Sequence, residues 1–243
     1  MNAIDIQSIS KDYGEKHAVN EVTLSIAQGE LVSLLGVNGA GKTTLIHLLT
    51  GLIKPTSGDA FIHGKSIVNE PHQVKSLIGV SPQETAIAPN LTVRENLELM
   101  AGVYGFDRNK TKLKTNELIA DFNLKSIEKQ KSKTLSGGWK RRLSIAMAII
   151  SEPKVLFLDE PTLGLDILAR RELWQVIETI RGKATIVLTT HYLEEADALS
   201  DRIFILRNGR LAAAGTSEEL QQQTETTKFE DAFIKLVKGG DEA

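Results

Sequence analysis

Apolar and polar positions along the chain change their period several times, and each change marks an element. Leu31 to Leu35, Val155 to Leu158 and Thr185 to Leu188 are short leucine-rich or β-branched runs without polar alternation, which predicts strands covered on both faces and hence a parallel sheet. After Asp166 the period lengthens. Leu173, Val176, Ile177 and Ile180 fall on one helical face, with Asp166 at the N-cap position just ahead of it. Strand, turn and helix therefore repeat as βαβ units of an α/β fold. Between the first and second of these strands the pattern is mostly helical. Thr92 and Glu95 have capping-box spacing and open a helix carrying Leu97, Met100 and Val103. A later helix opens at Ser136, Gly137 and Gly138 and has Leu143, Met147 and Ile150 on its inner face. This region, about residues 84 to 150, is the candidate inserted subdomain. From about Thr216 the sequence turns polar, with QQQTETT at 221–227, and predicts a surface helix and short tail over 221–243.

Composition narrows the partners. At 243 residues and 41% apolar, the chain suits one domain with an inserted subdomain. The 29 basic and 31 acidic side chains leave a formal charge of −2 and are spread along the sequence. No positive field is available for a phosphate backbone, which argues against nucleic acid as a partner. The absence of cysteine excludes disulfide staples and thiolate metal sites and fits a reducing compartment. Met1 to Ser10 shows no basic start followed by an apolar stretch, and no apolar run approaches the roughly 18 residues that a membrane span needs. The expectation is a cytosolic chain, neither exported nor inserted.

The polar motifs sit at the ends of the predicted strands. GVNGAGKT (Gly36 to Thr43), the acidic pair Asp159 and Glu160, and His191 each follow an apolar strand directly. They fall at the carboxyl ends, where open α/β sheets bind ligands. In the first motif Gly36, Gly39 and Gly41 let the backbone curl around an anion, and a helix starting at about Lys42 adds its partial positive end. Lys42 would reach the β- and γ-phosphates of a nucleotide, and the Thr43 hydroxyl would ligate Mg²⁺. Asp159 leaves the end of an apolar strand, where a carboxylate needs a partner such as Mg²⁺. Glu160, one residue on, is the candidate general base, an effect worth roughly 10² to 10⁴ in rate. Taken alone, the pair could equally be acidic loop residues before Pro161. His191 is the one histidine at a strand end; His17, His47, His63 and His72 show no ligand spacing and read as surface or packing residues. Its position favours a contact to the γ-phosphate. Ser136, Gly137 and Gly138 form either a second anion-binding helix start or a plain cap of a core helix. If the former, one nucleotide cannot obviously engage both helix starts in one subunit, whereas a second copy would resolve the geometry.

These motifs resemble, over nearly the whole chain, the ATP-binding subunits of ATP-binding cassette transporters. GVNGAGKTT, comprising Gly36, Val37, Asn38, Gly39, Ala40, Gly41, Lys42, Thr43 and Thr44, is similar to the Walker A loop of that family. Gln83 matches its Q-loop, LSGGW at 135–139 its signature, VLFLDE its Walker B strand, LGLD ending at Asp166 its D-loop, and His191 its switch histidine. Tyr13 matches the aromatic residue that stacks on adenine.

The resemblance implies a P-loop nucleoside triphosphate hydrolase fold: a mainly parallel core sheet, an N-terminal antiparallel β region and the helical insertion, with the ATP-binding domain filling 1–220. It also implies a Mg²⁺-dependent ATPase, catalysed by Glu160, His191, Gln83 and Lys42 with Thr43, Gln83 and Asp159 at the metal. Ser136, Gly137 and Gly138 would contact ATP held by a second cassette, a homodimer in the simplest case, with Asp166 alongside. An integral membrane permease would dock near Glu84 to Tyr104, which places the chain peripherally on the cytoplasmic face of the cell membrane. LSGGWKRRL, EPTLGLD and TTHYLEEAD look most like the branch exporting drugs, antibiotics and polysaccharides. The signature usually ends in Gln. Trp139 stands there instead and cannot accept a hydrogen bond, so the γ-phosphate clamp is expected to survive with altered ribose contacts. A soluble ATPase of the same superfamily and a nucleotide-dependent regulator are the alternatives. The former is disfavoured because only about ninety residues separate Thr44 from Leu135, too few for the long coiled coils of DNA-repair relatives.

Overall fold

In the computed structural model, which describes residues 1–238, the three unbroken apolar runs are the strands β3 (Leu31–Leu35), β7 (Val155–Asp159) and β8 (Thr185–Thr190), and every residue in them is buried. Two further strands extend them in parallel, β6 (Ile78–Ser81) beside β7 and β9 (Arg202–Arg207) beside β3; the antiparallel β10 (Arg210–Gly215) closes one edge. The order is β10-β9-β3-β8-β7-β6. A second sheet is formed by β1 (Asn2–Tyr13), β2 (Lys16–Ala27), β4 (Ser57–Ile62) and β5 (Lys65–Ser66), antiparallel throughout.

Because side chains alternate across a strand, each core strand serves two layers. Val32, Leu34, Val155, Phe157 and Val187 pack with the second sheet and with α1 (Lys42–Leu49). Leu31, Leu156, Leu158, Ile186 and Leu188 face the opposite side. The helices α3 (Val93–Val103), α4 (Arg108–Asp121), α5 (Gly137–Ile149) and α6 (Ile167–Ile180) contribute to that second cluster. The α2 helix (Pro71–Leu77) leads directly into β6.

The helical insertion follows β6 and returns to the sheet through α5. Thr92 and Glu95 form the expected capping box at the start of α3. The inward face of that helix is Val93, Leu97 and Ala101, whereas Val103 is 69% exposed; a four-residue step along the helix wins over the three-residue one from Met100. Leu143, Met147 and Ile150 are buried. Helix α5 lies so close to β6 that a Cβ on Gly79 would collide with the Ala148 carbonyl oxygen, and Ser81 and Ser144 share a buried hydroxyl hydrogen bond of 2.8 Å. Asp166 caps α6 by accepting from the Ala169 N–H at 2.9 Å.

The C-terminal segment is more deeply packed than its polar run suggested. Beyond α7 (Leu193–Leu199) and β10, a Thr216/Glu219 capping box starts α8 (Ser217–Gln223), and α9 (Phe229–Lys238) follows. Leu220, Phe229 and Ala232 form a third core with Leu35, Ile203 and Ile205. Residues 239–243 of the expected tail lie outside the described residues. Among the described residues, no helix is long and apolar enough to cross a membrane.

Candidate nucleotide site

The loop between β3 and α1 is built for close approach of backbone to ligand. Gly41 has φ 103°, a left-handed conformation that favours glycine, and a Cβ there would strike the Ala18 carbonyl oxygen. At Gly39, φ 82°, nothing stands within 4 Å of where a Cβ would be. The loop therefore lines open space, and the amides of the first turn of α1 have no intrahelical partners. Lys42 is 6% exposed. Its Nζ donates to the carbonyl oxygens of Gly36 (2.7 Å) and Val37 (3.3 Å). Burial lowers its pKa from the ordinary lysine value, and the nearby charges of Glu160 and Asp159 act in the opposite direction.

Asp159 ends β7, where it pairs in register with Thr189 of β8, and Glu160 follows it. The Thr189 hydroxyl donates to Asp159 Oδ1 (2.6 Å) and accepts the Glu160 N–H (2.9 Å). Glu160 holds φ 48°, an uncommon conformation for a residue with a Cβ, and such strain persists only where surroundings over-determine it. Three contacts do so here. Thr189 takes its N–H, the Arg141 guanidinium donates to its carbonyl (3.0 Å), and His191 Nδ1 lies 2.8 Å from its Oε2.

These segments surround one cavity of about 410 Å³ lined by Asn38, Gly39, Ala40, Gly41, Lys42, Thr43, Thr44, Gln83, Glu160 and His191. Three strand ends and the Gln83 loop thus meet at the carboxyl edge of the sheet. Leu163, the first residue of LGLD, completes the wall with Lys16 and Ala18, two residues that nothing in their sequence context marked. Gly36 and Val37, whose carbonyl oxygens accept from Lys42, are not in the wall. Asp159 is buried beneath it. Tyr13 is exposed at the end of β1, opposite Lys16 in the β1–β2 register, and is not part of the wall.

Ser136, Gly137 and Gly138 are also outside this cavity. Ser136 is the N-cap of α5, with no side-chain capping bond. A Cβ on Gly137 would lie 3.5 Å from Leu165, and one on Gly138 3.4 Å from Ala169, so this helix tip stands against the Asp166 loop and the start of α6. Trp139 turns partly into the core between α5 and α6. The Arg142 guanidinium lies 4.7 Å from its ring centroid and pairs with Glu172.

Behind the catalytic edge lies a buried acid, Glu195. Trp174 Nε1 donates to one of its oxygens at 3.0 Å, and burial, reinforced by the charge of Glu160, raises its pKa above the usual carboxylate range.

The donor set suits Mg²⁺. The Thr43 hydroxyl, the Gln83 amide oxygen and the Asp159 carboxylate would offer hard oxygen donors, and magnesium is typically held by few protein groups plus substrate phosphates.

A glycine loop feeding a helix start, a buried lysine, and an acidic pair at the neighbouring strand end define a P-loop nucleotide-binding site on an α/β sheet. Residues 19–163 match the family model for ABC transporters, and the chain belongs to that family. It is 40% identical over 223 residues to the daunorubicin resistance ATP-binding protein DrrA3 of Streptomyces coeruleorubidus, covering 91% of this chain and 71% of that protein. It is 41% identical over 224 residues to the phospholipid-transporting ATPase ABCA3 of Mus musculus, covering 90% of this chain but spanning only 13% of that much longer protein. The cassette MJ0796, solved as a post-hydrolysis dimer bound to ADP and Pi, superimposes with a TM-score of 0.78 at 26% identity, covering 88% of this chain and 98% of that one.

Proposed function

We propose that this chain hydrolyses ATP to ADP and phosphate, pairs with a second copy of itself around the nucleotide, and powers export through a separate integral membrane permease. One observation carries this reading. The cavity gathers the loop, Lys42, Gln83, Glu160 and His191, while the second helix tip at Ser136–Gly138 is turned elsewhere. A nucleotide in the cavity would be gripped by the loop amides and Lys42, with Tyr13 at the rim available to stack on the base. A partner's Ser136, Gly137 and Gly138 would close over its γ-phosphate, with Asp166 beside them. Ile167 and Leu168, in the first turn of α6 beside that tip, are exposed, an apolar surface suited to pairing.

In the reaction Glu160 accepts a proton from water as the water oxygen bonds to the γ-phosphorus, the bond from that phosphorus to the bridging oxygen breaks, and ADP leaves with the electron pair. His191 orients the Glu160 carboxylate through Nδ1 and, when protonated on both ring nitrogens, donates from Nε2 to the developing charge on the phosphoryl group. Gln83 positions the water. Magnesium, when bound, would sit at Thr43 and Gln83 with Asp159 behind them and would neutralise phosphate charge.

The names of the drug-resistance and phospholipid-transporting relatives support export of lipophilic cargo. In this reading residues 1–220 are the ATPase domain, and the exposed Leu99, Val103 and Tyr104 offer the permease a docking face on the insertion. The chain then works at the cytoplasmic face of the membrane.

Phosphate release tests the reading. Steady release is expected with ATP and Mg²⁺ and is abolished by a chelator. Release should rise when the chain is reconstituted in lipid with an integral membrane permease that binds it. No release above the blank at saturating ATP and Mg²⁺ would overturn the proposal.

A further inference from the structure

The second residue of the KRR run in α5 does something that a solvated charge would not. The Arg141 side chain is buried, and its guanidinium donates to three backbone carbonyl oxygens: Pro82 at 2.6 Å, Gln83 at 2.9 Å and Glu160 at 3.0 Å. Pro82 and Gln83 belong to the loop that follows β6, and Glu160 follows β7. One side chain on the helix that starts at Ser136 thus ties together the two loops that carry Gln83 and the candidate base. The next residue, Arg142, turns the other way, to Trp139 and Glu172, so the bonding is particular to Arg141. Burial lowers the Arg141 pKa from its ordinary value, the charges of Asp159, Glu195 and Glu160 act in the opposite direction, and arginine stays protonated.

We propose that Arg141 is a positioning residue: it fixes the backbone of Gln83 and the left-handed conformation of Glu160 to helix α5, so that a shift of that helix when Ser136 engages the second nucleotide aligns the base in its own site. This rests on the hydrolysis reading above. Its physical content is that three fixed donors of a planar fork reach two loops at once. A lysine ammonium is a single point and cannot span both.

Arg141→Lys separates this role from a merely structural one, because the buried positive charge is kept. Its turnover at saturating ATP should fall about 10²-fold, the scale of an ångström-sized misplacement of reacting groups. The KM and the directly measured Kd for ATP should stay within about threefold, since the loop grip is untouched. Arg141→Met should fall at least as far, and the thermal transition of the Lys variant should remain cooperative.

Turnover of both variants within twofold of the parent would overturn the proposal. So would a parallel loss of ATP binding and turnover, or a Lys variant without a folding transition; either result would assign the residue to general structure. Glu160→Gln in the same assay keeps the two readings apart: normal turnover by that variant would remove the hydrolysis mechanism itself, whatever Arg141 does.

Discussion

Glu160→Gln is expected to bind ATP as the parent does, to lose nearly all turnover and to accumulate as an ATP-bound pair. The substitution preserves shape. The backbone N–H still meets Thr189, the carbonyl still meets Arg141, and the amide can still bond His191 in place of the carboxylate. What disappears is a group that can take a proton from water, a loss of roughly 10² to 10⁴ in rate. Phosphate release measured beside size-exclusion chromatography in ATP should give a silent enzyme eluting at twice the subunit mass. Normal hydrolysis by this variant would remove Glu160 as the base. A monomer in ATP would remove the trapped pair.

Gly138→Asp should be equally damaging by a different route. A Cβ at this position stands 3.4 Å from Ala169, close to ordinary contact, and an acidic side chain at the start of a helix interacts favourably with its dipole. Folding and thermal stability should therefore hold. ATP affinity of the variant's own loop should stay within about threefold, because α5 is no part of that cavity wall. A carboxylate at the helix tip would, however, repel the partner's γ-phosphate, where like charges in a dry interface cost several kcal/mol. Turnover should fall by about 10² or more, together with ATP-driven pairing. Retained turnover with the acidic tip in place would show that the tip does not engage nucleotide.

The parts of this arrangement legible in sequence were those set by local chemistry. Unbroken apolar runs gave β3, β7 and β8. The Thr92/Glu95 and Asp166 caps gave the starts of α3 and α6, and glycine spacing gave the loop before α1. The position of a polar motif at a strand's carboxyl end was enough to bring Lys42, Glu160 and His191 to one edge.

What remained hidden depends on register and on tertiary packing. The Asp159–Thr189 hydroxyl bridge exists because β7 and β8 pair at that residue, and TTH does not disclose which threonine faces Asp159. Arg141 sits within a run of three basic residues, and nothing in the sequence distinguishes the one that bonds the two loops from its buried neighbour Arg142. Four-residue β6 contains a glycine whose value lies in the approach of α5, so it carries little strand pattern of its own. The polar 221–227 run drew attention from Phe229 and Ala232, which anchor α9.

In the proposed mechanism two copies share one nucleotide, and specific activity against protein concentration tests that most directly. With ATP and Mg²⁺ saturating, phosphate release per subunit should rise with concentration and level off over the range in which scattering shows monomers becoming dimers. A rate per subunit that is already maximal in a solution shown to be monomeric would contradict it.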